Sequence, residues 1–193
     1  MKKLVLSAFF IGGMCLAFNA SAQTTTTTTT TTVSTAPKAK KPRPSLPDTV
    51  KGTTKNGVDI TVAYSQPHLN GRTVGKEIAP YNGKVWRVGA NEATTIEFSK
   101  AVKIEGHDLP AGKYGLYAIP GENEWVIIFN SVWKIWGLNY TLDEATGSKT
   151  DLFRFTVKPE KAPATAELLK FSVEKSGDVS FVWGDVKVGF KVK

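Results

Sequence analysis

Val58-Asp59-Ile60-Thr61-Val62-Ala63-Tyr64 decides the fold. Val58, Ile60, Val62 and Tyr64 alternate with Asp59, Thr61 and Ala63, the period of two that turns one side of an extended chain to a core and the other to water. The alternation returns at residues 85–88, 94–99, 102–105, 113–119, 125–130, 152–158, 167–174, 179–183 and 186–192. Turn-forming residues separate these runs: residues 105–112 and Pro120-Gly121-Glu122-Asn123 read as hairpin connections. Gly184-Asp185 reads as the turn of a closing hairpin, with Phe181 and Trp183 opposite Val186 and Val188. Many short strands with frequent turns predict an all-β domain, an antiparallel β-sandwich or jelly roll of about ten strands.

The chain has 193 residues, 41% of them hydrophobic and 22% charged, enough for one core of ordinary size. Its scarcities exclude more than its abundances suggest. One cysteine, Cys15, and two histidines, His68 and His107, leave no disulfide framework and too few ligands for a structural zinc, which takes about four. No cofactor is expected.

Met1-Lys2-Lys3, the apolar run 4–18 and Ala20-Ser21-Ala22 have the form of a signal peptide over residues 1–22, cut after Ala22. That run is shorter than the roughly 20 residues a membrane-spanning helix needs, so no transmembrane segment is expected in the mature chain. The predicted location is periplasmic or extracellular. Residues 23–50 follow as a disordered Thr/Pro/Lys-rich linker, with threonine at every position from Thr24 to Thr32. Lys38, Lys40, Lys41 and Arg43 lie in this linker, whereas the domain at residues 51–193 has 19 Lys and Arg against 16 Asp and Glu. The formal charge of +8 is therefore largely a property of the tail, and nucleic acid is not an expected partner.

Two clusters stand out as candidate chemistry. Trp133-Lys134-Ile135-Trp136-Gly137-Leu138-Asn139-Tyr140 breaks the alternation, so its rings either cap an open end of the sandwich or stand exposed, where flat indoles stack on sugars. Trp86-Arg87-Val88-Gly89-Ala90-Asn91-Glu92 brings a guanidinium, an amide and a carboxylate together. Arg87 can hold a carboxylate or phosphate bidentately while Asn91 and Glu92 orient a hydroxylated ligand. Alternatively, Arg87 pairs with Glu92 and Asn91 closes a turn. Nucleophilic and phosphate-loop chemistry find no support: no Gly-x-Ser-x-Gly elbow exists, and Gly83-Lys84 and Gly112-Lys113 run into Val85 and Tyr114. Glu122 and Glu124 sit in a turn, and His107 beside Asp108 reads as a hairpin tip.

The run from Trp86 to Thr95, with Leu109-Pro110-Ala111-Gly112-Lys113-Tyr114-Gly115-Leu116, resembles a secreted bacterial family catalogued only as a domain of unknown function. The resemblance extends over most of residues 51–193. Within it, Tyr64-Ser65-x-Pro67 followed by Gly71-Arg72 matches a family pattern, as do Trp136-Gly137 and Asp151-Leu152-x-Arg154, while Gln66 stands where the family usually has arginine. The resemblance implies an exported β-rich domain with no assigned activity, and it implies that Arg72, Trp86, Arg87, Asn91 and Glu92 belong to one feature. The resulting expectation is a non-enzymatic module that binds a glycan or peptide in the cell envelope through Tyr64, Arg72, Trp86, Arg87, Asn91, Glu92 and Trp136, with no catalytic and no metal-binding residue. The alternatives are an envelope assembly domain that binds another envelope protein, and a hydrolase of a sugar-like substrate that uses Glu92 with Arg72 and Arg87.

Overall fold

The computed structural model describes residues 43–137 and 149–193; the expected signal peptide at 1–22, residues 23–42 of the expected linker and the Leu138-Asn139-Tyr140 end of the aromatic run lie outside the described residues. Among these the chain is all-β, with ten strands: β1 (Pro47–Thr53), β2 (Asp59–Ser65), β3 (Thr94–Phe98), β4 (Val102–Ile104), β5 (His107–Leu109), β6 (Gly112–Ile119), β7 (Trp125–Asn130), β8 (Asp151–Val157), β9 (Glu160–Val173) and β10 (Asp178–Lys191).

Six strands pair in the order β1-β2-β3-β6-β7-β8, all antiparallel, while β9 and β10 form a long two-stranded ribbon and β4 and β5 a small hairpin. The ribbon covers one face of the large sheet and makes a sandwich. Alternation sets that face: Ile60, Val62 and Tyr64 of β2, Ile96 and Phe98 of β3, and Trp125, Ile127 and Phe129 of β7 bury their side chains against Phe171, Phe181, Trp183 and Phe190 of the ribbon. Ring edges lock the two layers, with Phe190 lying 5.7 Å from Phe129 at 80° and Phe171 lying 4.7 Å from Tyr64 at 64°.

The structure departs from the sequence reading in four places. Gly184-Asp185 is not a hairpin turn: β10 runs straight through it and pairs along its length with β9, with register shifts on either side of Gly184. Gly184 sits at φ 59°, and the irregularity moves the buried positions from Val179, Phe181 and Trp183 to Val188 and Phe190, an odd-to-even change that looks in sequence like two strands. Residues 85–88 are not a strand. Val88 has φ 49°, and only Trp86 pairs, through two hydrogen bonds with Ala118 of 2.7 and 2.9 Å. His107 and Asp108 are not a tip but part of β5, where Lys103 holds Asp108 at 2.7 Å; the turn is Glu105-Gly106. Finally, β1 begins at Pro47, inside the stretch whose composition reads as linker, because this segment finds a partner in β2, pairing from Pro47 with Ser65 to Thr53 with Asp59.

Truncating Phe129, which is fully buried and touches rings from both layers, should cost about 3–5 kcal/mol in equilibrium denaturation. Leu152→Ala, at a side chain 46% exposed, should stay within about 0.5 kcal/mol of wild type.

Candidate functional site

The outer face of the large sheet carries a second, smaller apolar cluster: Ala93, Tyr117 and Ile128 are buried there, with Val85, Ile119, Val126 and Ile135 against them. What covers it is the loop 131–137, which follows β7. Gly115 makes the crossing possible, since a Cβ at that position would meet the Val132 carbonyl oxygen at 2.8 Å. The loop then runs antiparallel to residues 91–93. Ala93 donates its N–H to the Ile135 carbonyl at 3.1 Å, Gly137 donates to the Asn91 carbonyl at 3.2 Å, and Glu92 and Trp136 form a bridge pair. Of the two alternatives read for the rings of this run, the indoles take exposure, Trp133 and Trp136 remaining 37% and 44% exposed, while Ile135 between them packs on the outer face of the sheet.

Glu92, Ala93, Thr95 and Lys113, with the loop residues Trp133, Lys134, Ile135 and Trp136, line a groove of about 340 Å³ on this face. A neighbouring groove of about 190 Å³, between β1, β2 and β3, shares Glu92, Ala93 and Thr95 and adds Asp48, Thr49 and Tyr64. The Lys113 ammonium lies 5.0 Å from the Trp133 ring centre and 3.6 Å from the Glu97 carboxylate, so its charge is answered within the sheet. A hollow around β9 and β10 is walled by ion pairs, in which Lys187 meets Glu160 at 3.1 Å and Lys191 meets Asp178 at 2.9 Å.

The expected site residues fall into two groups. Asn91, Glu92 and Trp136 come together at the groove. Glu92 pairs with neither Arg87 nor Arg72 but with Arg43, whose Nη1 donates to both carboxylate oxygens at 2.6 and 2.8 Å. Its own backbone amide, then Arg43, hold the Glu92 carboxyl below the usual carboxylate range. Asn91, at φ 60°, donates from its side-chain amide to the Ser45 carbonyl at 3.0 Å. Arg87 packs its stem on the backbone of Gly137; its Nε is buried with no hydrogen-bond partner among the described residues, and burial pushes its guanidinium down from its ordinary value.

Tyr64, Arg72 and Trp86 serve the framework. The Trp86 ring stacks on Trp183 at 5.5 Å and meets Trp125 edge-on. Arg72 donates to the carbonyls of Leu69 and His68, both at 2.8 Å, and so ties its own turn. The Tyr64 hydroxyl donates to Asp48 at 2.7 Å and accepts the Phe171 N–H at 3.2 Å, joining β1, β2 and the ribbon. Sequence reasoning missed Arg43, Thr95, Lys113 and the separate importance of Trp133. Thr95 and Lys113 were findable as the outward positions of β3 and β6; nothing local marks Arg43.

Among the described residues no helix is long and apolar enough to cross a membrane, and no group of three or more His, Cys, Asp or Glu could hold a metal ion. The family model described as "Protein of unknown function (DUF2911)" matches residues 45–192. No curated protein and no solved structure matches the chain.

Two phenols report on the packing that frames the groove. Burial, with Asp48 adding to it, pushes Tyr64 up to about 12 from 10.0, and burial with the charge of Asp151 does the same to Tyr117. The folded state therefore holds these protons more tightly than the unfolded chain, so the linked stability is intact below pH 10 and is lost as pH rises toward 12. Among the described tyrosines, Tyr64 and Tyr117 should be the last to titrate in tyrosinate absorbance, and one of these two latest steps should disappear in Tyr64→Phe, a variant expected to lose about 1–3 kcal/mol.

Proposed function

We propose that this chain, which belongs to the DUF2911 family of proteins of unknown function, is an exported, non-enzymatic module that binds a glycan along the groove of Trp133 and Trp136. One observation carries the reading: two half-exposed indoles border a groove lined also by Glu92, Thr95 and Lys113. Flat rings take up the apolar face of a sugar with little loss of conformational freedom, and the neighbouring carboxylate, hydroxyl and ammonium can exchange hydrogen bonds with its hydroxyl groups. The rings are fixed before any ligand arrives, because Ile135 and the two backbone hydrogen bonds to residues 91 and 93 hold the loop down. Export rests on the signal-peptide pattern, and the linker would tether the module in the envelope.

The chemistry of Glu92 favours binding over hydrolysis. A general acid in glycoside cleavage needs a carboxyl raised toward neutral pH, and Glu92 moves the other way. Its partner is Arg43, and Arg72 is committed to backbone carbonyls, which speaks against the hydrolytic arrangement of Glu92 with Arg72 and Arg87.

Trp136→Ala should weaken binding to an oligosaccharide identified on a glycan array by about tenfold, the loss of one stacked ring. Isothermal titration of wild type and variant measures it. Equal, featureless array signals from both proteins would sink the reading.

A further inference from the structure

We infer that Glu92 is a cation subsite of this groove, that Arg43 of the chain itself occupies it in the free protein, and that the glycan it takes carries a primary ammonium group that displaces the arginine. This rests on the reading of the Trp133–Trp136 groove as the ligand site. Among the described residues that line that groove Glu92 is the only carboxylate, and it also borders the neighbouring one. The other acid of the adjoining groove, Asp48, is already spent: one oxygen accepts the Tyr64 hydroxyl at 2.7 Å and the other the Thr49 N–H at 2.8 Å. Glu92 by contrast gives both oxygens to a single guanidinium nitrogen, Arg43 Nη1.

Arg43 is delivered there by the backbone. The Leu46 carbonyl accepts the Gln66 N–H at 2.9 Å and the Ser45 carbonyl accepts the Asn91 side chain at 3.0 Å, so the chain entering β1 is fastened beside the Asn91-Glu92 turn. The ion pair itself is short but open to water, with both side chains 49% exposed, and exposed pairs of this kind contribute little and are screened by salt. The arrangement is a pre-filled charge site: firm in its backbone anchors, weak in the contact that a ligand must replace. Because Arg43 is tethered, it competes at a high effective concentration, and ligand affinity is set against it. Lys113 is drawn toward Glu97 at 3.6 Å and toward the Trp133 ring, whereas Lys134, which also lines the groove, adds a positive charge that works against a cationic ligand, so the preference expected for the ammonium form is modest.

The test uses two oligomers of one sugar that differ only in charge, glucosamine and N-acetylglucosamine chains of equal length, titrated against the full mature chain by isothermal calorimetry. Wild type should bind the ammonium form about fivefold more tightly than the acetylated one, the difference should vanish in Glu92→Gln, and Arg43→Gln should bind the ammonium form about threefold more tightly than wild type with the acetylated form unchanged. Equal wild-type affinity for the two oligomers, or no gain in Arg43→Gln, overturns the cation subsite while leaving the groove in place. Binding of neither oligomer by wild type or by either variant overturns the groove reading and the subsite together. Melting temperatures of the two variants at the wild-type value confirm that the readout concerns the subsite, both side chains being half exposed.

Discussion

A two-stranded ribbon has to cover one face of a six-stranded sheet, and much else in this domain follows from that mismatch. Six strands span about 24 Å from first to last, whereas a strand of 14 residues reaches about 46 Å, so a ribbon of that length can bridge the sheet from edge to edge. It does so: β9 meets β1, and β10 meets β8. Large rings fill the space beneath it, which is why Trp86, Trp125, Phe129, Phe171, Phe181, Trp183 and Phe190 share one core. Bridging also requires the ribbon to change which residues point inward partway along, and the irregularity at Gly184 performs that change.

Because the core is complete on the inner face, the outer face is left to a thinner cover. One loop lies across it, pinned by Ile135, by the bare backbone of Gly115 and by hydrogen bonds to residues 91 and 93. Cover of that kind leaves indoles half in water, and it places them beside a carboxylate held by the incoming chain. The proposed binding groove thus lies on the face with the smaller apolar cluster, where a loop on a rigid scaffold is the kind of element that carries function.

Alternation of residues such as Ile60, Val62 and Tyr64 was enough to read the fold class, since a one-sided core leaves a period of two in any strand that borders it. The same rule misread Gly184, where a bulge changes parity without ending the strand, and it misread residues 85–88, where an alternating run contributes a single bridge. β1 was invisible for a different reason. In Pro47-Asp48-Thr49-Val50 the pairing is made by backbone groups, and Asp48 and Thr49 look like linker because their side chains add no apolar signal. Asn91, Glu92 and Trp136 were legible as polar and aromatic residues out of pattern, whereas Arg43 reaches Glu92 across 49 positions and no local spacing could announce it. Tyr64, Arg72 and Trp86 show the opposite error: side chains that could serve recognition are taken up by the framework.

The Tyr64–Asp48 link has a consequence for where this domain can be cut. A fragment trimmed at residue 51, where the charge and the low-complexity sequence end, would keep only the last part of β1 and would leave the Tyr64 phenol without its carboxylate. The second half of β2, residues 62–65, would then stand open as an unprotected template, ready to recruit another chain by strand addition. The physical start of the domain is the first backbone group that finds a partner, the Leu46 carbonyl or earlier, and preparations that respect composition instead would be expected to polymerise at that edge.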